Sequence, residues 1–527
     1  LYNQEYYLAR KITMQKLIFE VFIVAALLCV NAHFVQERID HKYQPGGDEG
    51  SWMSVAAELC RGNGFSTRCL EHVFLTPATL PRPDDYRYPA LSTVLAGSFR
   101  VFGISYGVAL WTVAAIFFLF LILLYLAVRS YFGRTVALLT LLVSVVSLNL
   151  LYWSIGVGAE TLFGVVVGCI ILASRKLLPH RPVGWIITGA LCGLLYLVRP
   201  NGILFLAGAL WLGIVMRKSG PVSWKWPAIF LCAMLAVMTP WLLRTAVHFG
   251  NPFHIAGSAG LLRVSDKEPL TLSLWQFLSI HGALYPIKAF FGGLLGFFRT
   301  LDFHEHGLEW LPLFGVLIGV LQRRRFYNRF VAAAFLVSFC ACAYASFASW
   351  SGVRYFTAFL PFVYGFGIAS LLETVEPLFK KVRPPLRYGI LLIIACVLVA
   401  PVFYPHKYFE RSFGSTMPKR FMVEKHFDII KREIPPGRSY FAAGVWQWNF
   451  MATCNCVCVQ DAYDSSLAAW ALDTFTPSLL VASAGELSDP PVSALVSALR
   501  KNNCSLVQAA EYDSLRYFRI VKTTTQN

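Results

Sequence analysis

Apolar stretches long enough to enter or cross a bilayer recur along most of this chain, with short gaps between them. They fall at about 17–35, 104–128, 135–151, 157–174, 184–198, 202–216, 227–245, 309–322, 330–348, 355–372 and 388–404. A segment of that kind has no polar face to offer water, so a chain built from them folds as helices in lipid. Composition agrees: 14% of the 527 residues are charged and the mean hydropathy is +0.56, whereas soluble chains are about 25% charged. The predicted fold class is a polytopic α-helical membrane protein with about eleven transmembrane helices.

Basic residues outnumber acidic ones 46 to 29, a net charge of +17. In a soluble chain that excess would point to nucleic acid. Here it sits in alternate gaps, at Arg129 and Arg134, at Arg175, Lys176 and Arg181, at Arg217, Lys218 and Lys225, at Arg323, Arg324, Arg325 and Arg329, and at Lys380, Lys381, Arg383 and Arg387. The opposite short gaps hold little beyond Arg199 and Arg354. This is the positive-inside pattern. It excludes nucleic acid as a partner, places the chain in a plasma (bacterial inner) membrane with a cytoplasmic amino terminus, and puts everything after Pro405 outside. Leu284 to Phe298 is apolar but broken by Pro286, Gly292 and Gly293. As a span it would turn Arg323–Arg325 outward, so it reads as an interfacial or re-entrant segment. Met14 precedes the first stretch and is the expected start, which would leave 1–13 outside the functional chain. Glu20, inside that stretch, opposes a cleaved signal peptide.

The chain divides into a transmembrane unit, 1–404, and a tail, 405–527. Within the first, a long outer loop spans 36–103 and a second spans 246–308. The first loop has two helical patterns, Trp52, Val55, Ala56 and Leu59, then Leu91, Val94, Leu95, Phe99 and Phe102 after Pro89. Both are expected to lie along the outer membrane surface. In the tail, short apolar runs at Ser439–Val445, Leu479–Ala484, Leu506–Ala509 and Tyr517–Val521 alternate with a helical stretch at Val492–Arg500. That predicts a small extracytoplasmic α/β domain. Six cysteines fall on the outer side, with Cys60–Cys69 the simplest disulfide to expect. Cys454, Cys456 and Cys458 alternate as on one strand face, a metal-ligand pattern with no histidine cluster nearby. No phosphate-cradling glycine loop supports ATP-driven transport.

Two adjacent carboxylates, Asp48 and Glu49, stand between Gly47 and Gly50 just beyond the first stretch. They suit a helix first turn, yet carboxylates kept beside a membrane usually have a chemical task. Asp84 and Asp85 form a second acidic pair, in a proline-flanked turn. His304 and His306 flank Glu305 in the second loop and offer metal-ligand chemistry, though alternate histidines converge only in extended backbone.

Taken in order, several motifs resemble the glycosyltransferase C superfamily, in the branch of the bacterial aminoarabinose and protein mannosyl transferases. They are Gly47-Asp48-Glu49-Gly50-Ser51-Trp52, Arg87-Tyr88-Pro89-Ala90-Leu91, Ala159-Glu160-Thr161-Leu162, Arg199-Pro200-Asn201-Gly202, Pro240-Trp241-Leu242-Leu243-Arg244, Phe249-Gly250-Asn251-Pro252 and Arg354-Tyr355-Phe356 with Pro361. Two departures are Thr245, where the family commonly has Asn, and Pro89-Ala90-Leu91 in place of Pro-Pro-Leu. The resemblance implies transfer of a sugar, with inversion, from a polyprenyl-phosphate donor to a lipid, protein or glycan acceptor outside the membrane. Such a displacement needs a base for the acceptor's proton and cations for the leaving phosphate. Asp48 is the expected base, with Glu49 orienting it or binding a cation. Arg87, Arg244, Lys288 and Arg354 are the expected phosphate partners, and Glu160, Asp85, Tyr88 and Arg199 the sugar or acceptor contacts. A divalent metal stays open as an alternative for the phosphate charge. A transporter or lipid flippase is the rival class.

Overall fold

The computed structural model describes residues 2–41, 47–70, 79–147, 150, 156–177, 182–218, 225–254, 274–282, 284–300, 310–322, 324, 326–348, 351–380, 421–435, 437–443, 449, 454–459, 470, 472–483, 490–512 and 515–522. The helices of the amino-terminal part are α1 (Tyr2–His41), α2 (Gly47–Cys60), α3 (Pro89–Phe102), α4 (Tyr106–Phe132), α5 (Arg134–Val146), α6 (Glu160–Ser174), α7 (Pro182–Val198), α8 (Phe205–Lys218) and α9 (Lys225–Phe249). Next come α10 (Leu274–His281), α11 (Tyr285–Thr300), α12 (Trp310–Leu321), α13 (Arg329–Ala348), α14 (Ser351–Phe356) and α15 (Leu360–Lys380).

Local chemistry sets the helix ends. Ser105 caps α4 by accepting the Val108 amide at 3.1 Å. Gly133, at φ 88°, returns its N–H to Arg129 and lets the chain turn directly into α5. Pro89 opens α3, where its missing N–H costs nothing. Packing then follows small residues. A β-carbon on Gly189 or Gly193 of α7 would run into the Phe230 or Met234 carbonyl of α9. Gly315 of α12 and Gly367 of α15 permit the same close approach. Two glycines four apart on α7, and one glycine on each of α12 and α15, therefore set two of the tightest helix pairs, as is common where lipid supplies no hydrophobic drive.

Among the described residues, three helices are long and apolar enough to cross a membrane, Ile18–Gln36, Tyr106–Phe132 and Lys225–Phe249. Six shorter apolar helices accompany them among the described residues. Their outward faces carry bare hydrophobic side chains such as Phe22, Trp211 and Leu321. The predicted stretch 388–404 lies outside the described residues. Leu284–Phe298 falls mostly in α11, with Pro286 in its first turn, and shows Ile287, Phe291 and Leu295 on one exposed stripe while Ala289 turns inward.

One expectation needs correction. α2 does not lie on a surface: Ser51 to Ala57 are all buried, packed under α3 and against α4. Its pattern is apolar on too many sides to leave a water face. α3 does keep an exposed apolar edge at Val94, Val101 and Phe102, while Leu91, Leu95 and Phe99 face the core.

The carboxy-terminal part holds α16 (Phe421–Glu433), α17 (Pro490–Lys501) and strands β4 (Ser439–Ala443), β5 (Asn455–Val459), β6 (Leu479–Ser483), β7 (Cys504–Tyr512) and β8 (Leu515–Lys522). The first loop supplies β1 (Ser66–Thr67), β2 (Cys69–Leu70) and β3 (Arg82–Pro83). The six-stranded sheet runs β2-β5-β4-β6-β8-β7, parallel from β2 to β6 and antiparallel through β8 and β7. Ile430 and Ile434 close one face and Val492, Leu495 and Leu499 the other. Strands covered on both faces read as continuous apolar runs, which is how their sequences read.

Because β2 comes from the first loop, the sheet is not built from the tail alone. This also corrects the expected disulfide. Cys60 ends α2, whereas Cys69 points from β2 into the sheet core with Cys454, Cys456 and Cys458; none of the described cysteines, Cys69 and Cys456 included, is bonded to another in this structure. The strand face predicted for those three cysteines is present, but no group of metal-ligating side chains forms among the described residues.

Candidate active site

The first loop and several helix ends meet at one end of the bundle. Glu160 opens α6, Arg199 follows α7, Arg244 lies in the last turns of α9 and Arg354 sits in the short α14. Asp48 stands in the first turn of α2.

These residues form one chain of charge. Arg87 donates from a terminal nitrogen to Asp48 Oδ1 at 2.9 Å, and Arg354 donates to Asp48 Oδ2. The Arg354 Nε–H is given to Glu160, which also accepts from Arg199 at 2.5 Å. Ser51 fixes the Arg87 fork by accepting its Nε–H at 2.8 Å, and Trp52 and Tyr86 stack on the guanidinium. Arg199 lies over the Tyr355 ring, 4.8 Å from its centroid. Tyr88 is buried edge-on against Tyr196.

Exposure separates the carboxylates. The Asp48 side chain is 37% exposed, against 3% for Glu160 and 7% for Asp85. Burial would raise the Asp48 pKa, but the Arg87 and Arg354 guanidiniums outweigh it and hold the carboxyl well below the usual range. Asp48 is thus ionised and reachable. Glu160 Oε2 and Arg199 Nε meet no hydrogen-bond partner among the described residues. Gly158 makes room for the Glu160 carboxylate, since a β-carbon there would run into Oε2.

A second set adjoins the first. Asp84 accepts the Tyr86 and Arg87 amides at 3.2 and 2.8 Å, a turn-forming role that sets where Arg87 starts. Burial raises its pKa against the pull of Arg82. Asp85 pairs with Arg82 at 2.8 Å and lies 3.2 Å from His254 Nε2. Arg244 donates to the Phe65 carbonyl at 2.7 Å and is packed over Phe65, Trp241 and Phe249, with its other terminal nitrogen buried and without a partner among the described residues. Thr245, the departure from the family wording, donates to the Pro252 carbonyl at 2.6 Å and closes the Gly250-Asn251-Pro252 turn.

Two predicted residues stand apart from this cluster, and two more fall outside the described residues. Glu49 turns away from Asp48: it accepts Tyr106 O–H and the Val157 amide, both at 3.0 Å, and staples α2 to α4 and to the segment before α6. Lys288 is exposed on α11 and makes no ion pair with the described residues. His304 and His306 lie outside the described residues. Both Asp48 oxygens carry guanidinium partners and Glu49 faces away from them, so no group of metal-ligating side chains gathers at this site among the described residues. Arg82, Gly158 and His254 were not singled out by sequence, and Ser51, which stands inside the first quoted motif, was given no role there.

A family model described as dolichyl-phosphate-mannose-protein mannosyltransferase matches residues 83–243. The fold is similar to ArnT from Cupriavidus metallidurans bound to undecaprenyl phosphate, with a TM-score of 0.56 at 14% identity over 96% of this chain and 98% of that one. The chain resembles the glycosyltransferase C superfamily in sequence and in fold. The fold is also similar to that of the oligosaccharyltransferase AglB from Archaeoglobus fulgidus, in complex with an inhibitory peptide and a dolichol-phosphate. That match has a TM-score of 0.58 at 13% identity over 97% of this chain and 75% of that one. No curated protein matches the chain. The motifs from Arg87 to Leu243 fall inside the family match, which stops one residue short of Arg244; Asp48 and Arg354 reach the same place only through the fold.

Proposed function

We propose that this protein is an inverting glycosyltransferase that takes a sugar from a polyprenyl-phosphate donor and gives it to a lipid, protein or glycan acceptor. The site faces the extracytoplasmic side of a plasma (bacterial inner) membrane, as the charge asymmetry of the gaps requires. The observation that carries this reading is Asp48, the most open carboxylate of the cluster, clasped by two arginines.

The chemistry follows from that clasp. The acceptor's nucleophile attacks the anomeric carbon as the bond to the phosphate oxygen breaks, and Asp48 takes the acceptor's proton. Charge then grows on the departing phosphate, where Arg87, Arg354 and Arg244, whose buried second terminal nitrogen has no partner among the described residues, supply fixed cations. A carboxylate held by two guanidiniums is a weak base. An incoming phosphate competes for the same guanidiniums, so donor binding loosens their hold and returns basicity to Asp48. The buried Glu160 Oε2 and Arg199 Nε, without a partner among the described residues, are the atoms left to bond sugar hydroxyls, with Tyr88 and Asp85 in the neighbouring first-loop turn. Glu49 is a positioning residue, and Lys288 has no part in the step.

A transporter or flippase would place charges midway through its spans and show inverted repeats. The charged groups here gather at helix ends and in the first loop. Incubating purified protein with a panel of polyprenyl-phosphate sugars, and assigning the product anomer by NMR, tests the proposal. An inverted product supports it; lipid flipping without any glycosidic product removes it.

A further inference from the structure

Four cysteines meet in the carboxy-terminal sheet. Cys69 on β2, Cys454 just before β5, and Cys456 and Cys458 on β5 belong to one buried cluster with Tyr440. Their ordinary role would be as small core hydrophobes. Two features make these four different. They join segments nearly four hundred residues apart, as the Arg68–Asn455 contact also does, and the proposed topology puts them in an oxidising compartment.

Register singles out one pair. Cys69 lies directly opposite Cys456 on neighbouring parallel strands, and Leu70 opposite Val457. Adjacent strands lie about 4.7–4.9 Å apart, within the usual Cα separation of a disulfide, about 4.4–6.8 Å. Cys454 and Cys458 have no cysteine opposite them among the described pairs. Each is two residues from Cys456 along one strand, about 6.6 Å away with side chains parallel rather than converging. Burial also pushes the Cys454 thiol up to about 12, which makes it a poor attacking thiolate.

We infer that Cys69 and Cys456 form a disulfide that pins the first loop to the carboxy-terminal sheet. Two thiols lose two protons and two electrons as the S–S bond forms. A disulfide-bearing oxidant accepts them by exchange through a mixed disulfide and leaves as a dithiol. The bond secures a strand of only two residues, otherwise held by the Cys456 amide to the Arg68 carbonyl at 2.9 Å. Arg68 in turn donates to Glu58 of α2, the helix that carries Asp48. The tail is thereby joined to the helix bearing the proposed base. This inference rests on the outward placement proposed above and not on the identity of donor or acceptor.

The test uses full-length protein purified without reductant. Thiols are blocked with N-ethylmaleimide in denaturant, the sample is reduced, newly exposed thiols are labelled with iodoacetamide, and peptides are read by mass spectrometry. Cys69 and Cys456 should carry only the second label, while Cys454 and Cys458 carry the first. In Cys69→Ser, Cys456 should switch wholly to the first label. Because labelling is done on denatured chain, a poorly folded variant does not blur the wild-type result. First-label modification of both Cys69 and Cys456 in the wild type, or linkage of Cys456 to any other cysteine, overturns the inference.

Discussion

Replacing Arg354 by Gln separates the two tasks that the structure gives this side chain. Arg354 bridges Asp48 and Glu160, so its loss leaves Glu160 with Arg199 alone at 3% side-chain exposure. Removing one partner from a buried ion pair costs about 3–5 kcal/mol. Asp48 is more open and adds little to that figure, since exposed pairs are worth about 0–1 kcal/mol. Separately, losing one preorganised charge partner of the departing phosphate should lower kcat by about 10²–10³-fold. The double variant Arg354→Gln/Glu160→Gln tells these apart, because it removes the stranded carboxylate together with its cation. Thermal unfolding in detergent should show a lower Tm for the single variant and recovery in the double. Transfer of radiolabelled sugar should stay depressed in both. Recovery of transfer along with stability would refute a direct role for Arg354. So would a single variant that transfers at the wild-type rate.

Three other outcomes follow from the same geometry. Gly158→Ala places a methyl against Glu160 Oε2 and should cut transfer by up to about 10²-fold through misplacement alone; wild-type kinetics would mean that Glu160 does not need its seat. Glu49→Ala strands the Tyr106 hydroxyl and the Val157 amide and should destabilise by about 1–3 kcal/mol for each group, whereas Glu49→Gln should keep kcat within a few-fold. Loss of transfer in a folded Glu49→Gln protein would make Glu49 a chemical participant instead. Asp48 has a folded pKa depressed below its unfolded value near 4. Its stabilising contribution is therefore present above about pH 4 and is lost only as pH falls through the folded value. The stability gap between wild type and Asp48→Asn should thus stay flat from pH 8 to 5 and shrink only below about pH 4. In kinetics, kcat/KM reports the free enzyme and should lack an acid limb from Asp48 above about pH 4, while kcat, which reports the donor complex, should show one at higher pH. Coincident limbs would contradict the loosening of Asp48 by donor phosphate.

Much of this site was legible before any fold was known. Motif order brought forward Asp48, Arg87, Glu160, Arg199 and Arg354, and those five side chains form one continuous set of contacts. What could not be read was direction. Asp48 and Glu49 are neighbours in sequence, but successive helical residues point about 100° apart, so one faces the arginines and the other Tyr106. Nor does spacing reveal that α2 is buried, because that depends on what α3 and α4 place around it. The β2 strand is two residues long, too short for any periodicity to declare it. Its pairing decides that Cys69 meets Cys456 rather than the nearer Cys60. Gly158 gave no signal either, since its value lies in the side chain it lacks and the carboxylate that fills the space.

The central claim is that Asp48 receives the acceptor's proton during transfer from a polyprenyl-phosphate sugar. The direct measurement is single-turnover transfer by purified wild type and Asp48→Asn in the same lipid nanodiscs, with donor binding measured alongside. The account predicts donor binding within a few-fold for both and a transfer rate at least about 10²-fold lower for the variant, the lower end of what a positioned base contributes. Asp48→Asn protein that transfers sugar at the wild-type rate would contradict it.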